Sequence, residues 1–334
     1  MKKILVSICV MFFSMPAMAV TLKIATVTPD GSQWMADMRA SAKAIKEQTD
    51  GRVLIKYYGG GVKGDDAKVL GQIRIRQLQG GAFTPSALAS QYSGLNLYGM
   101  PLVFNSTEEA AYVRSKMDAR LQQGLEDAGF VNFGFATSGF AIIMSNTPVT
   151  TLADLKGKRV WVPEGDPISY ASMEALSLNP VTLPLTDVLT GLQTGLIDIV
   201  AIPPMVALIM QWHTKVKFVT QVPLVYTLGF MAIDKKSFDK ISEGDQAIVR
   251  KVMTATYKNF NEVNLEDNKE AFDALIKSGI KEVTFDPEEF VKVRELLLES
   301  NLRQGEKGAF SLDLYKEMLG YIDDYRRNNP LTDE

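Results

Sequence analysis

The sequence predicts an α/β protein of two domains, and three observations carry that prediction. Strand-like and helix-like segments alternate along residues 22–83 and again along 151–204, the order that builds a mainly parallel sheet with helices on both faces. At 334 residues the chain is long enough for two domains of roughly 100–200 residues each. No repeat, low-complexity tract or long linker interrupts it, so both domains can bury a core.

The first strand covers residues 22–27 and ends at the turn signal Thr28-Pro29-Asp30-Gly31. A helix over 32–49 follows, with Trp34, Met38, Ala42 and Ile45 at helical spacing and Asp50-Gly51 as its stop. Residues 53–58 form a second strand, closed by the glycine run 59–61. That run continues to Gly64 but lacks the spacing and the lysine–Ser/Thr pair of a phosphate loop, so it reads as a turn. A helix over 65–78 leads to a short apolar stretch at 81–83, and residues 133–145 are apolar and strand-like.

A second α/β unit starts at Thr151, where Thr151 and Asp154 suit a capped helix start and Gly157 its stop. Residues 159–162 form a strand that Pro163 ends, and Glu164-Gly165-Asp166-Pro167 is a turn-forming loop. A helix over 168–176, a strand at 181–183, a helix over 187–194 stopped by Gly195 and a strand at 197–202 complete the unit, closed by Pro203-Pro204. Residues 228–233 are a further strand. From Ser242 the chain is mostly helical, with one strand at 281–285.

The N-terminus sets the compartment. Lys2 and Lys3 precede an apolar run of about twelve residues, too short for a span that needs roughly 20, and Ala17 and Ala19 supply small residues at −3 and −1. Residues 1–19 are thus expected to be a secretory signal peptide and the mature protein periplasmic. The one cysteine, Cys9, falls in this leader, so no disulfide or thiol chemistry is expected. The formal net charge of −3 argues against a nucleic-acid footprint. Catalysis finds little support: His213 is the single histidine, and G-x-S-x-G and HExxH patterns are absent, as is an EF-hand pattern. No cofactor or metal is called for.

The segments PVTTLADLKGKRVWVP (148–163) and NPVTLPLTDVLTGLQTGLID (179–198) resemble the extracytoplasmic solute-binding proteins of TRAP transporters, DctP type. LKIATVTP, GRVLIKYYGGGVKG, FTPSALA and MPLVFNSTEEA match more weakly, and the resemblance covers nearly all of the mature chain. It implies a two-lobed periplasmic solute-binding fold with a central ligand cleft and long bracing helices. Strands near 140–144 and 230–233 would cross between the lobes. Lobe one is then expected at 20–138 and 228–268, lobe two at 139–227 and 269–334. The resemblance further implies domain closure on a small ligand and membrane subunits of a TRAP-type transporter as partners. In some subgroups it implies a tetratricopeptide-repeat partner.

Ligands of open α/β sheets lie at the carboxyl ends of the strands, which points to Thr28-Pro29, Phe83-Thr84, 161–164 and Ile202-Pro203. Three positions depart from the acid-binding pattern of the family. Trp161 stands where a strand arginine would grip a carboxylate, Ala141 follows the Gly139-Phe140 pair that often precedes a second arginine, and Ile202 replaces a polar residue before Pro203. A desolvated carboxylate is costly unless paired, whereas apolar walls reward burial of apolar surface. The expected ligand is therefore hydrophobic or amphipathic. The candidate ligand-binding residues are Trp161, Trp34, Phe83, Ser86, Ala141, Ile202, Tyr226, Glu164 and Arg159. Arg159 shares a strand face with Trp161 by period two. Two alternatives stay open: an organic-acid receptor using Arg159 or another group, and a protein of another class, a ligand sensor partner or a secreted hydrolase dependent on His213.

Overall fold

The computed structural model describes residues 19–330. The expected signal peptide, Cys9 included, lies outside the described residues except for Ala19. The chain opens with β1 (Val20–Ala25), α1 (Gln33–Gln48), β2 (Val53–Tyr58), α2 (Asp66–Arg74), β3 (Gly80–Phe83), α3 (Pro85–Leu88), α4 (Thr107–Asp127) and β4 (Phe130–Asn132). Then β5 (Ala136–Ser145) crosses to a second α/β unit: α5 (Leu152–Leu155), β6 (Val160–Pro163), α6 (Pro167–Ala175), β7 (Pro180–Leu183), α7 (Val188–Thr194), β8 (Ile199–Ile202) and α8 (Pro204–Ile209). The return strand β9 (Phe218–Asp234) precedes α9 (Lys235–Phe238), α10 (Glu243–Lys277), β10 (Lys281–Val283), α11 (Pro287–Glu306) and α12 (Leu312–Asn328).

The strands form two lobes of one continuous sheet in the order β2-β1-β3-β9-β5-β8-β6-β7, with β4 and β10 also on β9. In the first lobe β2, β1 and β3 are parallel, and β3 meets the end of β9 antiparallel, Phe83 opposite Phe230. In the second, β7, β6 and β8 are parallel, and β8 meets β5 antiparallel, Ile142 opposite Ile202. The antiparallel β5–β9 pair, from Ala136 opposite Gly229 to Ser145 opposite Phe218, joins the lobes. At 17 residues β9 is far longer than the predicted 228–233. Pro223 hid its first half, since a proline inside a run argues against a ladder. Here Pro223 falls in a register shift, opposite Ala141 to Ile143, where no ladder N–H is required.

The 35 residues of α10 extend about 50 Å at 1.5 Å per residue. The helix starts at the Ser242 cap, whose hydroxyl accepts from Asp245 N at 3.3 Å, and packs on α1 in one lobe, α8 in the other and β5 between them. One face carries Asn261, Asn264 and Asn268, which donate to the carbonyls of Phe135, Thr137 and Ser138 at 2.8, 2.6 and 2.7 Å. The Thr137 and Ser138 carbonyls lie where β5 slips register against β9, and that of Phe135 just before the strand, so the asparagines satisfy backbone groups that the ladder leaves. Gly139 completes the slip at φ +83°, and a Cβ there would stand 3.0 Å from Asn268 Nδ2.

Three apolar cores fill the lobes. The first joins Leu22, Ile24, Leu121 and Phe230. The other two flank the second half-sheet, one around Leu155, Met173 and Leu297, the other around Leu192, Trp212 and Leu275. Packing differs from the expected division at α12: Leu314, Tyr315, Met318 and Ile322 join the first core against α4, although 269–334 was assigned to lobe two. Conversely Leu102 packs into the core of the second lobe. No helix among the described residues is long and apolar enough to cross a membrane.

Candidate functional site

A cavity of about 610 Å³ lies between the lobes. It sits at the carboxyl ends of β3, β6 and β8 and over the crossing of β5 and β9, as open α/β sheets place ligand sites. Lobe one contributes the start of α2 and residues 84–87 after β3. Lobe two contributes residues 160–166 from β6 and its loop, Pro184 and Leu185, and 201–203 after β8. The floor is Ser138 and Ala141 of β5 with 224–228 of β9. The lobes approach each other beside the cavity: the Thr186 methyl lies 3.2 Å from where a Cβ on Gly61 would stand.

Two aromatic side chains are held rigidly. The indole of Trp161 donates from Nε1 to the Leu183 carbonyl at 3.0 Å and packs edge-on against Trp212 with centroids 5.3 Å apart. Tyr226 is buried between Phe104 and Phe140, and its hydroxyl accepts from Arg114 Nη1 at 3.3 Å. Arg114 itself stands behind the tyrosine, pairs with Asp118 at 3.0 Å and donates to the Phe135 carbonyl at 2.6 Å, so its charge is spent within the fold.

The charges lining the cavity are mostly negative. Asp65, Asp66, Glu164 and Asp166 face a single cation, the exposed Arg74 at the end of α2. Asp65 caps α2 by accepting from Lys68 N at 2.8 Å and pairs with Lys68 Nζ at 3.0 Å. Asp66 accepts from the Thr84 hydroxyl at 3.3 Å, and burial pushes its carboxyl up to about 6. Asp166 caps α6, accepting from Ile168 N and Ser169 N at 3.1 and 3.0 Å and from the Ser169 hydroxyl at 2.6 Å. Burial outweighs those bonds and raises its pKa. Among the described residues no group of three or more His, Cys, Asp or Glu is placed to hold a metal.

Of the sequence candidates, Trp161, Ser86, Ala141, Ile202, Tyr226 and Glu164 line the cavity, and Trp34, Phe83 and Arg159 do not. Trp34 turns to α10 and stacks on Phe260 at 5.9 Å. Phe83 folds back over Gly81 into the first core. Arg159 precedes β6 at the end away from the cavity, and its guanidinium grips Asp198 at 2.8 and 2.7 Å. Sharing a face with Trp161 was not enough, because Arg159 lies just before the strand and its guanidinium is turned to Asp198. Val27 lines the cavity in place of Thr28-Pro29, and His213 lies outside it with Nδ1 3.2 Å from the Ala207 carbonyl. Sequence reasoning missed Asp66, Arg74 and Asp166. An acidic doublet opening a helix and an aspartate before Pro167 were the available signals; the first reads only as a helix start and the second as part of a turn.

Comparison with known proteins agrees with this geometry. The sequence model of the family "Bacterial extracellular solute-binding protein, family 7" matches residues 24–304. The chain is 26% identical over 249 residues to the 2,3-diketo-L-gulonate-binding periplasmic protein YiaO of Escherichia coli, covering 72% of this chain and 74% of that protein. It is 25% identical over 277 residues to the C4-dicarboxylate-binding periplasmic protein DctP of Rhodobacter capsulatus, covering 80% and 82%. Among solved structures, the sugar acid binding protein DctPAm of Advenella mimigardefordensis, in complex with galactonate, superposes with a TM-score of 0.84 at 18% identity, covering 92% of this chain and 99% of that one. A TRAP periplasmic solute-binding protein of Desulfovibrio salexigens with bound orotic acid gives 0.82 at 18%, with the same coverage. The chain therefore belongs to the bacterial extracellular solute-binding proteins of family 7, and it is an extracytoplasmic receptor that serves membrane transporter subunits rather than an enzyme.

Proposed function

We propose that this receptor closes around a small hydrophobic or amphipathic ligand, with Trp161, Ala141, Ile202 and Tyr226 as its apolar contacts and Ser86 and Glu164 at its polar edge. Trp161 is the observation that carries the reading. Where an acid-binding relative is expected to hold an arginine, a buried indole is fixed by the Leu183 carbonyl and by Trp212. Covering about 200 Å² of apolar ligand surface is worth roughly 5 kcal/mol, while a carboxylate against the same wall would lose its hydration unpaired. The close approach of Thr186 to Gly61 supports a closed arrangement, stabilised by any ligand that binds it better than the open one. In this proposal lobe one comprises 20–138, 228–268 and α12, apart from Leu102, which packs into lobe two, and lobe two the rest. Nothing observed supports a tetratricopeptide-repeat partner, and the proposal is confined to membrane subunits.

A second reading, an organic acid held by Arg74, is favoured by one observation: Arg74 is the cation of the lining. The Escherichia coli and Rhodobacter capsulatus relatives are named for such acids. Native mass spectrometry of the protein as purified, followed by solvent extraction, separates the two. The first reading expects a co-purifying species that enters the organic phase. Tight binding of a sugar acid or C4-dicarboxylate that survives Trp161→Ala and disappears in Arg74→Ala would replace it with the second.

A further inference from the structure

We propose that a small apolar chamber beside the main cavity is a subsite for the hydrocarbon end of the ligand, an alkyl chain or a group of similar width; this rests on the apolar-ligand reading above. The chamber, about 50 Å³, lies inside lobe two, between the half-sheet and α11. It shares Val160, Met173, Ala201 and Leu224 with the main cavity, so these four side chains are common walls of both spaces. Every other side chain around it is apolar as well. By volume it could take a few waters, but water needs polar partners and this wall provides none. Left unfilled, such a void weakens a core in proportion to its volume, and an alkyl group arriving from the main cavity would remove that loss.

Backbone strain at the junction points the same way. Leu102, a wall of the chamber, holds φ +55°, a region that branched side chains rarely occupy. The conformation is held by the Leu102 N–H, which donates to the Leu224 carbonyl at 2.7 Å, and by Asn301 Nδ2, which donates to the Pro101 carbonyl at 3.2 Å. Pro101 lines the main cavity and Leu102 the chamber, so one strained dipeptide forms the edge between the two. Met173, an unbranched thioether on α6, is the shared wall best able to swing aside.

The test uses straight-chain primary alcohols from butanol to nonanol, whose neutral heads keep the acid question out, titrated against the full mature protein by calorimetry. Affinity should rise roughly fourfold per methylene and level off once the chamber is full. Leu178 lines the chamber and not the main cavity. Leu178→Phe should bring the plateau forward by two or three carbons, with short alcohols unaffected, and Leu178→Ala should postpone it. A plateau at the same chain length in all three proteins overturns the subsite and leaves the apolar-ligand reading intact. No chain-length dependence in the unaltered protein overturns both. Xenon binding to the unaltered protein, followed by diffraction under xenon pressure, needs no variant to fold. Density in the chamber supports the subsite, and an empty chamber beside occupied sites elsewhere overturns it.

Discussion

The two sides of the cavity are built from different material. Lobe one presents the capped start of α2 and the loop after β3, where Asp65, Asp66, Thr84 and Ser86 offer oxygen atoms. Lobe two presents strand ends, where Val160, Trp161, Val162 and Ile202 offer hydrocarbon, with Glu164 and Asp166 in the loop beyond them. A helix start must satisfy its free N–H groups and so draws in Asp65, whereas buried parallel strands are apolar on both faces. On the proposed apolar-ligand reading the difference is a division of labour: burial against lobe two would supply affinity, and the polar side of lobe one would set orientation when the lobes meet.

The largest expected effect comes from removing the apolar side's anchor. Trp161→Ala should weaken the co-purified ligand at least hundredfold, about 3 kcal/mol, the scale of losing a buried aromatic. Trp161→Phe, which keeps a ring but not the bond to Leu183, should stay within about tenfold. Calorimetry on stripped protein measures both. Unchanged affinity in Trp161→Ala would mean that lobe two is not the side that binds.

Next in size is the joint that carries both sides. Gly139→Ala forces a Cβ toward Asn268 at a backbone angle that favours glycine, at a cost of about 1–3 kcal/mol. A chain of this size should then melt several degrees lower by scanning calorimetry. An unshifted midpoint would show that the β5 crossing relaxes freely and does not fix the two sides against each other.

A smaller effect probes the polar side. Burial raises the Asp66 carboxyl to about 6 in the folded protein, so its protonated form is the one the fold favours. The group does no harm below the unfolded value near 3.8 and weakens the fold progressively as pH rises through 6. Asp66→Asn should therefore raise the melting temperature at pH 7.5, and the gain should fade between pH 6 and 4. A gain that persists unchanged at pH 4 would trace to packing rather than to charge.

Much of this was readable in the chain, and the failures have physical causes. Short apolar runs bounded by Gly and Pro gave β1, β2 and β6 within two residues. The strand-end rule placed Trp161, Glu164 and Ile202 at the cavity. The helix α4 was not read, although Ser106 accepts from Glu109 N at its start and Val113, Met117, Leu121 and Leu125 keep a helical period. Trp34 was misplaced because its partner Phe260 is brought to it only by the return of α10. Asp66 reads as part of a helix start and Asp166 as part of a turn, where it in fact caps α6; that both line one cavity depends on how the lobes fold together.

The smallest expected effect tests whether lobe two hides a cation after all. The Arg159 guanidinium holds Asp198 through two bonds, in an exposed setting where such a pair contributes at most about 1 kcal/mol. Hydrogen bonding from Arg159 keeps the Asp198 carboxyl below its ordinary range. The pair's contribution is thus present above the unfolded carboxylate value and is lost as pH falls through the lowered one. Arg159→Ala should cost under about 1 kcal/mol at pH 7, less at high salt, and almost nothing once Asp198 is protonated. Ligand affinity should not move, because the guanidinium is tied to Asp198 just before β6 and does not line the cavity. A tenfold loss of affinity would place a carboxylate-binding arginine on the side described here as apolar, and the division between the two sides would no longer hold.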